Sequence, residues 1–323
     1  MWNSTELLTG WESSPLPTQK AYAASIGINY NTFRGALWRA RQARKGKLPD
    51  AFPVRYTPLG QPWTLEMDNC AIFGDVQLPM VSETWLDLLC ETAERRLRKP
   101  RKAIIAGDLL NLDAFSVFLK AVADSDVPDL QAELDATRDL FDQLTLVFDE
   151  IWWFFGNHER RITRWSDGIL SPYLLATLVL GARMASPSIH YSHFGMCYLV
   201  TSQGRWAVTH ARNYSQVRLS VTEKLSWKYG MNVINFHQHA VGHGFDRYGN
   251  YQILDGGGLF DADQLPYVML DPSTSPRMNN GFVLFENGYP LLLGPDGFTN
   301  WQMVLPPERK NGNGRKAVKE AVR

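Results

Sequence analysis

Five short apolar runs, each ending in a side chain able to bind a metal, constrain this chain more than any other feature of its 323 residues. Ala71-Ile72-Phe73 leads to Gly74-Asp75, Ala103-Ile104-Ile105-Ala106 to Gly107-Asp108, and Ile151-Trp152-Trp153-Phe154-Phe155 to Gly156-Asn157-His158-Glu159. Two later runs, Arg205-Trp206-Ala207-Val208-Thr209 and Asn232-Val233-Ile234-Asn235-Phe236, end at His210 and His237, with His239 two residues on. Runs apolar throughout, rather than alternating, suit strands covered on both faces. Residues 83–98, 129–150 and 215–229 between them read as helices, the second with Leu130, Leu134, Leu140, Phe141, Leu144 and Phe148 at three- and four-residue spacing. Residues 251–254 and 282–293 read as further strands, the latter turned at Asn287-Gly288. Strand–helix alternation predicts an α/β body, and in open α/β sheets ligands bind beyond the carboxyl ends of the strands. Asp75, Asp108, Asn157, His210, His237 and His239 are therefore expected at one crevice. Their oxygen and nitrogen atoms suit Mn2+, Mg2+, Fe2+ or Zn2+. Any one of them alone is as well explained as a core histidine or a helix cap; six in the same position are not.

The content of 45% hydrophobic residues fits a globular protein. No apolar run reaches the ~20 residues that span a bilayer. The first residues lack the basic start and long apolar stretch of a secretion signal. Three scattered cysteines fit free thiols. A soluble, cytoplasmic protein without a membrane partner is expected.

Charge balances at 33 basic and 33 acidic residues, but unevenly. Residues 18–47 hold seven basic residues and no acid, and residues 308–323 hold six basic and two acidic ones, leaving an acidic body. Residues 18–27 read as a short helix capped by Thr18 and ended at Gly27. Residues 32–44 read as a second helix, with Phe33 and Leu37 set to pack on Tyr22 and Ile26. Its exposed face carries Arg34, Arg39, Arg41 and Arg44. Two short helices about a turn, the second basic, resemble a helix-turn-helix, which points to DNA as partner; a helical hairpin docked on the main domain is the alternative. The organisation expected is a basic module over 1–47, a proline-rich linker over 48–69, the α/β domain over 70–307 and a basic tail over 308–323.

The order of motifs is similar to that of the calcineurin-like metallophosphoesterase family: Asp-x-His, Gly-Asp-x-x-Asp/Asn, Gly-Asn-His-Asp/Glu, a lone His, then Gly-His-x-His. Here they read Gly74-Asp75-Val76-Gln77, Gly107-Asp108-Leu109-Leu110-Asn111, Gly156-Asn157-His158-Glu159, Thr209-His210 and Phe236-His237-Gln238-His239. The resemblance, over about residues 70–260, implies a four-layer α/β/β/α sandwich and two adjacent divalent ions, Mn2+ foremost. Asp108 would bridge them. Asp75, Gln77 and His239 would complete one site; Asn157, His210 and His237 the other.

Two departures accompany it. Gln77 stands where the family has histidine, a harder ligand that shifts preference towards Mn2+ or Mg2+; the phage-type members are similar in this. Phe236 stands where the family has glycine, while Gly242-His243 offers a competing register. His237 and His239 are preferred because a strand directly precedes them and supplies two ligands; His243 would then lie near substrate.

The resemblance further implies hydrolysis of phosphate esters by a metal-activated hydroxide, with His158 as general acid oriented by Asn111. Arg160, Arg161 and Arg212 are candidate phosphate holders. Nucleic acid is the expected substrate. A non-catalytic DNA-binding protein and an enzyme for small nucleotides are the alternatives. The combination of parts resembles phage-encoded accessory proteins, which would place the chain in a host cytoplasm.

Overall fold

The computed structural model describes residues 4–16, 19–29, 33, 60–115, 129–265, 268 and 278–295. The chain divides into two compact units, Met1–Gly60 and Gln61–Arg323.

In the first unit, helices α1 (Ser4–Glu12) and α2 (Gln19–Ser25) and residue Phe33 share a small core. Leu7, Ala23 and Phe33 are buried, with Trp11, Tyr22, Ile26 and Ile28 packed around them. The Tyr22 ring centroid lies 5.8 Å from that of Trp11 and 5.4 Å from that of Phe33. Trp11, which carried no role in the sequence, is thus part of this core, and α1 was not foreseen. Arg34, Arg39, Arg41 and Arg44 lie outside the described residues, as do most of the proposed second helix and the basic tail.

The second unit is an α/β sandwich of two six-stranded sheets. One has the order β12-β11-β2-β3-β4-β5, formed by β2 (Cys70–Phe73), β3 (Lys102–Ala106), β4 (Glu150–Phe154), β5 (Ile189–Ser192), β11 (Phe282–Glu286) and β12 (Tyr289–Leu293). The other has the order β1-β6-β7-β8-β10-β9, formed by β1 (Thr64–Glu66), β6 (Met196–Thr201), β7 (Gly204–Thr209), β8 (Asn232–Asn235), β9 (Val241–Phe245) and β10 (Gln252–Gly256). Strands β2 to β5 run parallel, as do β7, β8 and β10. β1 corrects one boundary: residues 64–66, read as linker, pair with β6 as an edge strand, a pairing partner no local sequence signal reveals.

The sheets meet through their inner faces. Cys70, Ile72, Ile104, Ala106 and Phe154 from one pack with Cys197, Trp206, Val208, Ile234 and Leu254 from the other. Helices cover the outer faces. On the first sheet lie α3 (Glu83–Arg96), α4 (Leu130–Val147) and α6 (Pro172–Leu180), burying Leu89, Ala93, Phe141, Leu144 and Val179 against Phe73, Ile105 and Trp153. On the second lies α7 (Ser220–Tyr229), with Val221 and Leu225 against Ala207 and Val233. This burial on both faces is why the strands are apolar without alternation. Local signals set the helix ends: the Asp129 side chain caps α4 by accepting from Ala132 N at 2.7 Å, and Gly230 ends α7 at φ +64°. Among the described residues no helix is long and apolar enough to cross a membrane.

Candidate metal centre

The parallel strands put their carboxyl ends at one crevice. Asp75 follows β2, Asp108 follows β3, Asn157 follows β4, His210 follows β7 and His237 follows β8. The backbone there is wound tightly. Asp75, Gln77, Asp108, His237 and His239 all have positive φ, between 47° and 79°, five of the nine such non-glycine residues described. That conformation costs about 1–3 kcal/mol at each residue and persists where the surroundings over-determine it, typically at functional sites.

Asp108, His210 and His237 each present a ligand atom within 4.8 Å of the others. His210 Nδ1 donates to the Ala106 carbonyl at 2.8 Å, which fixes the ring and turns Nε2 into the crevice. There Nε2 lies 3.0 Å from Asp108 Oδ2 and 3.1 Å from Asn157 Oδ1. Burial opposes charge on His210, but Asp108 and Asp75 overcome it and push the imidazole up to about 10. Burial likewise opposes ionisation of Asp108, yet the neighbouring His158 and His210 imidazoles hold its carboxyl well below the usual range. A proton on His210 therefore occupies a place where two buried carboxylates demand positive charge. His237 is the converse: burial and the neighbouring His210 hold it down to about 4, so it stays neutral. Its backbone N–H donates to Asp75 Oδ2 at 2.8 Å.

Whether divalent ions fit is tested by the atoms left over. His237 Nδ1 is buried with no hydrogen-bond partner among the described residues, and Asp108 Oδ2 meets the His210 ring at 3.0 Å. A buried lone pair without a partner is costly unless a ligand satisfies it. On the other side, His239 Nε2 lies 3.0 Å from Asp75 Oδ1 and 2.9 Å from the Gln77 amide. Carboxylate oxygen, imidazole nitrogen and amide converging on one point are a cation's donor set. Asp108, His210 and His237 fit a divalent ion, and Asp75, Gln77 and His239 stand beside them.

Two glycines show why the loops can close. A Cβ on Gly156 would collide with the Asp108 carboxylate, so only glycine lets β4's loop pass beside it. The side chain of Phe236, in the place of the family's glycine, is fully buried and lies where a Cβ on Gly256 would be. The space a glycine at 236 would leave is thus provided by the glycine that ends β10.

Further groups surround the ligands. Glu159 is fully buried and accepts four backbone N–H groups, from Asp108 (3.1 Å), Leu109 (2.7 Å), Leu110 (3.2 Å) and Gly156 (2.7 Å), tying the β3 and β4 loops together. Burial and the Asp108 charge push its carboxyl up to about 7, against those amides. Asn111 does not orient His158. Its amide donates to Asp113 Oδ2 at 2.7 Å, and neither Asn111 Oδ1 nor His158 Nδ1 has a hydrogen-bond partner among the described residues. The physical reason is Asp113, a stronger acceptor two residues along.

Arg161 stands beside His158 instead, donating to His158 Nε2 (2.6 Å), Asp113 Oδ1 (2.7 Å) and the Asn111 carbonyl (2.8 Å). Because guanidinium can only donate, His158 Nε2 accepts and the ring is neutral; burial lowers it to about 3. Arg160 Nη2 donates to the His193 carbonyl at 3.0 Å, and Arg212 is exposed. His243 lies on the edge strand β9, 3.4 Å from Gln252 and outside the ligand cluster.

No known family description matches the chain, and no curated protein matches it. Among solved structures it is similar to Vps29 from Entamoeba histolytica in a single-substitution variant, at 10% identity over 70% of this chain and 97% of that one, with a TM-score of 0.34. Vps29 from Chaetomium thermophilum gives 11% identity over 68% of this chain and 84% of that one, TM-score 0.34. The Entamoeba protein complexed with Zn2+ gives 9%, 70%, 97% and 0.32. At such scores the likeness adds nothing to the architecture, which rests on strand order and sheet packing.

Proposed function

We propose that this chain is a metal-dependent phosphoesterase that hydrolyses phosphodiester bonds, with nucleic acid as substrate. The observation that carries the reading is the gathering of Asp75, Gln77, Asp108, Asn157, His210, His237 and His239 from five strand ends, with His237 Nδ1 buried and without a hydrogen-bond partner among the described residues. Asp108, Asn157, His210 and His237 would hold one divalent ion, and Asp75, Gln77, His239 and the shared Asp108 the other. A pair of such ions, Mn2+ in this oxygen-rich set, polarises a phosphate and acidifies water.

The remaining work falls to the protein. Glu159 keeps the Asp108 and Asn157 loops in register through its four amide bonds. His158 is poised to protonate the leaving oxygen, but in the resting state its Nε2 is tied to Arg161. A substrate phosphate that draws the Arg161 guanidinium towards itself frees Nε2, and the added negative charge raises the imidazole's affinity for a proton. The seven basic residues of 18–47 support a polyanionic substrate, with that module as tether.

The test is hydrolysis of bis-p-nitrophenyl phosphate and of single-stranded DNA by purified protein with Mn2+, with bound metal counted by plasma mass spectrometry. Two ions per chain and turnover lost in His158→Ala are expected. Full metal content with no turnover of either substrate would refute the enzyme and leave a metal-binding protein on this scaffold.

A further inference from the structure

Helix α5 (Glu159–Trp165) leaves the centre directly, since His158 is its N-terminal cap. Arg160 and Arg164 share one face of it, four residues apart. Arg161 points elsewhere, to Asp113 and His158. Arg160 is anchored near the ligands: its guanidinium bonds the His193 carbonyl and lies 3.0 Å from where a Cβ on Gly195 would sit. The Gly195 carbonyl in turn accepts from His210 N at 2.9 Å. Arg212, two residues past His210, belongs to the same cluster. Burial lowers the Arg160 guanidinium, and the charges of Arg164 and Arg212 lower it further; Arg164 is lowered by burial and by Arg212.

These charges lack the partners found elsewhere. Arg95, Arg96, Arg138, Arg183 and Arg247 each meet a carboxylate. The exposed side chains of Arg164 and Arg212 bond to no described residue, and the nearby Glu159 is committed to backbone amides. Three mutually repelling guanidinium groups beside a phosphate-handling centre are an arrangement for an anion. Arg164 stands one helical turn, ~5.4 Å, beyond Arg160, so the anion extends away from the ions. Two residues past Arg212, Tyr214 is 49% exposed, and its ring stands edge-on to His237 with centroids 6.5 Å apart.

We propose that Arg160, Arg164 and Arg212 form a subsite for a second, uncleaved phosphate of a single nucleic-acid strand, with Tyr214 as the face on which an adjoining base stacks. This rests on the phosphoesterase reading and adds to it a direction for the strand, from the ions along α5. A strand satisfies both the separated charges and the exposed ring; free phosphate satisfies only the charges.

The test is binding of a fluorescein-labelled 12-nucleotide single strand to the full chain in EDTA, followed by anisotropy across a salt series. The doubly substituted variant Arg164→Gln, Arg212→Gln is expected to bind about tenfold more weakly, with a salt slope reduced by about 1. Tyr214→Leu should weaken binding about fivefold at unchanged slope. The Lys,Lys pair at 164 and 212 should keep most of the affinity. Arg205→Gln, at the opposite end of β7, should change nothing. Unchanged affinity and slope in the Gln,Gln variant would overturn the subsite. Displacement of the strand by micromolar inorganic phosphate would overturn it in favour of the free ion. No metal or turnover enters this measurement. Arginine-dependent binding by a chain that hydrolyses nothing would therefore refute the phosphoesterase reading and not the subsite.

Discussion

The two halves of the centre solve the same problem differently. Around Asp108, His210 and His237 the rings are anchored from outside the cluster, His210 by the Ala106 carbonyl and His237 through its backbone N–H on Asp75, while His210 Nε2 meets Asp108 Oδ2 at 3.0 Å. His237 Nδ1 is left without a hydrogen-bond partner among the described residues. Around Asp75, Gln77 and His239 the side chains touch one another, at 3.0 and 2.9 Å. An ion entering the first half must displace the proton of His210 but meets the free Nδ1 of His237; one entering the second must separate Asp75, Gln77 and His239 from one another. The first half also has two imidazoles and the second only one, with an amide in place of the other. Anchored rings and the second imidazole thus favour the first half as the tighter site.

The largest test removes the difference by removing what the halves share. Asp108→Ala should cut hydrolysis of bis-p-nitrophenyl phosphate by about 10³-fold, equivalent to ~4 kcal/mol, and bring bound metal well below two ions per chain. Activity within about tenfold of the parent would break the shared-ligand picture. Next, Gln77→His should sharpen the second half, raising its Zn2+ affinity by about 10–100-fold in calorimetry and merging two binding steps into one. An unchanged second step would mean that the amide does not face the ion.

Proton linkage separates the halves further. Metal at His210 must displace the proton held there by Asp108 and Asp75 up to about pH 10. Affinity of the first half should therefore fall by about tenfold for each unit of pH lowered below 10, with about one proton released per ion. Calorimetry in buffers of different ionisation enthalpy measures the release. The sign for stability follows: the folded pKa lies above the ordinary 6.5, so the metal-free protein is stabilised below pH 6.5 and loses that stability as pH rises through 10.

The smallest effect lies away from both halves, at Glu133. Burial raises this carboxyl from 4.5 to about 8, while its bond from Leu112 N works against the shift. The stability carried by its neutral form is complete below pH 4.5 and lost as pH rises through 8. Urea denaturation at pH 5 and pH 8.5 should show Glu133→Gln losing less stability over that interval than the parent.

Much of this was legible in the sequence because its signals are local. An apolar run followed by Gly-Asp or Gly-Asn-His states both a strand and what stands at its end, and α3, α4 and α7 were readable from spacing. β1, β5 and β9 were not, since edge strands are short and their pairing partners lie far along the chain. The neighbours of His158 were hidden for another reason. A motif names Asn111 as partner, but Asp113 and Arg161 compete for the same contacts, and that competition is decided in three dimensions. Phe236 broke a motif in one dimension and keeps its place only because Gly256, twenty residues on, makes room.

The bond from His210 to Ala106 has a further implication. Ala106 ends a strand of one sheet, and His210 follows a strand of the other. The cage is therefore hung from two opposing walls, and its width is set by the oily filling between them. Conservative swaps in that filling, such as Ile104→Val, far from any ion, should register in the spectrum of bound manganese as a gauge of how far apart the walls stand.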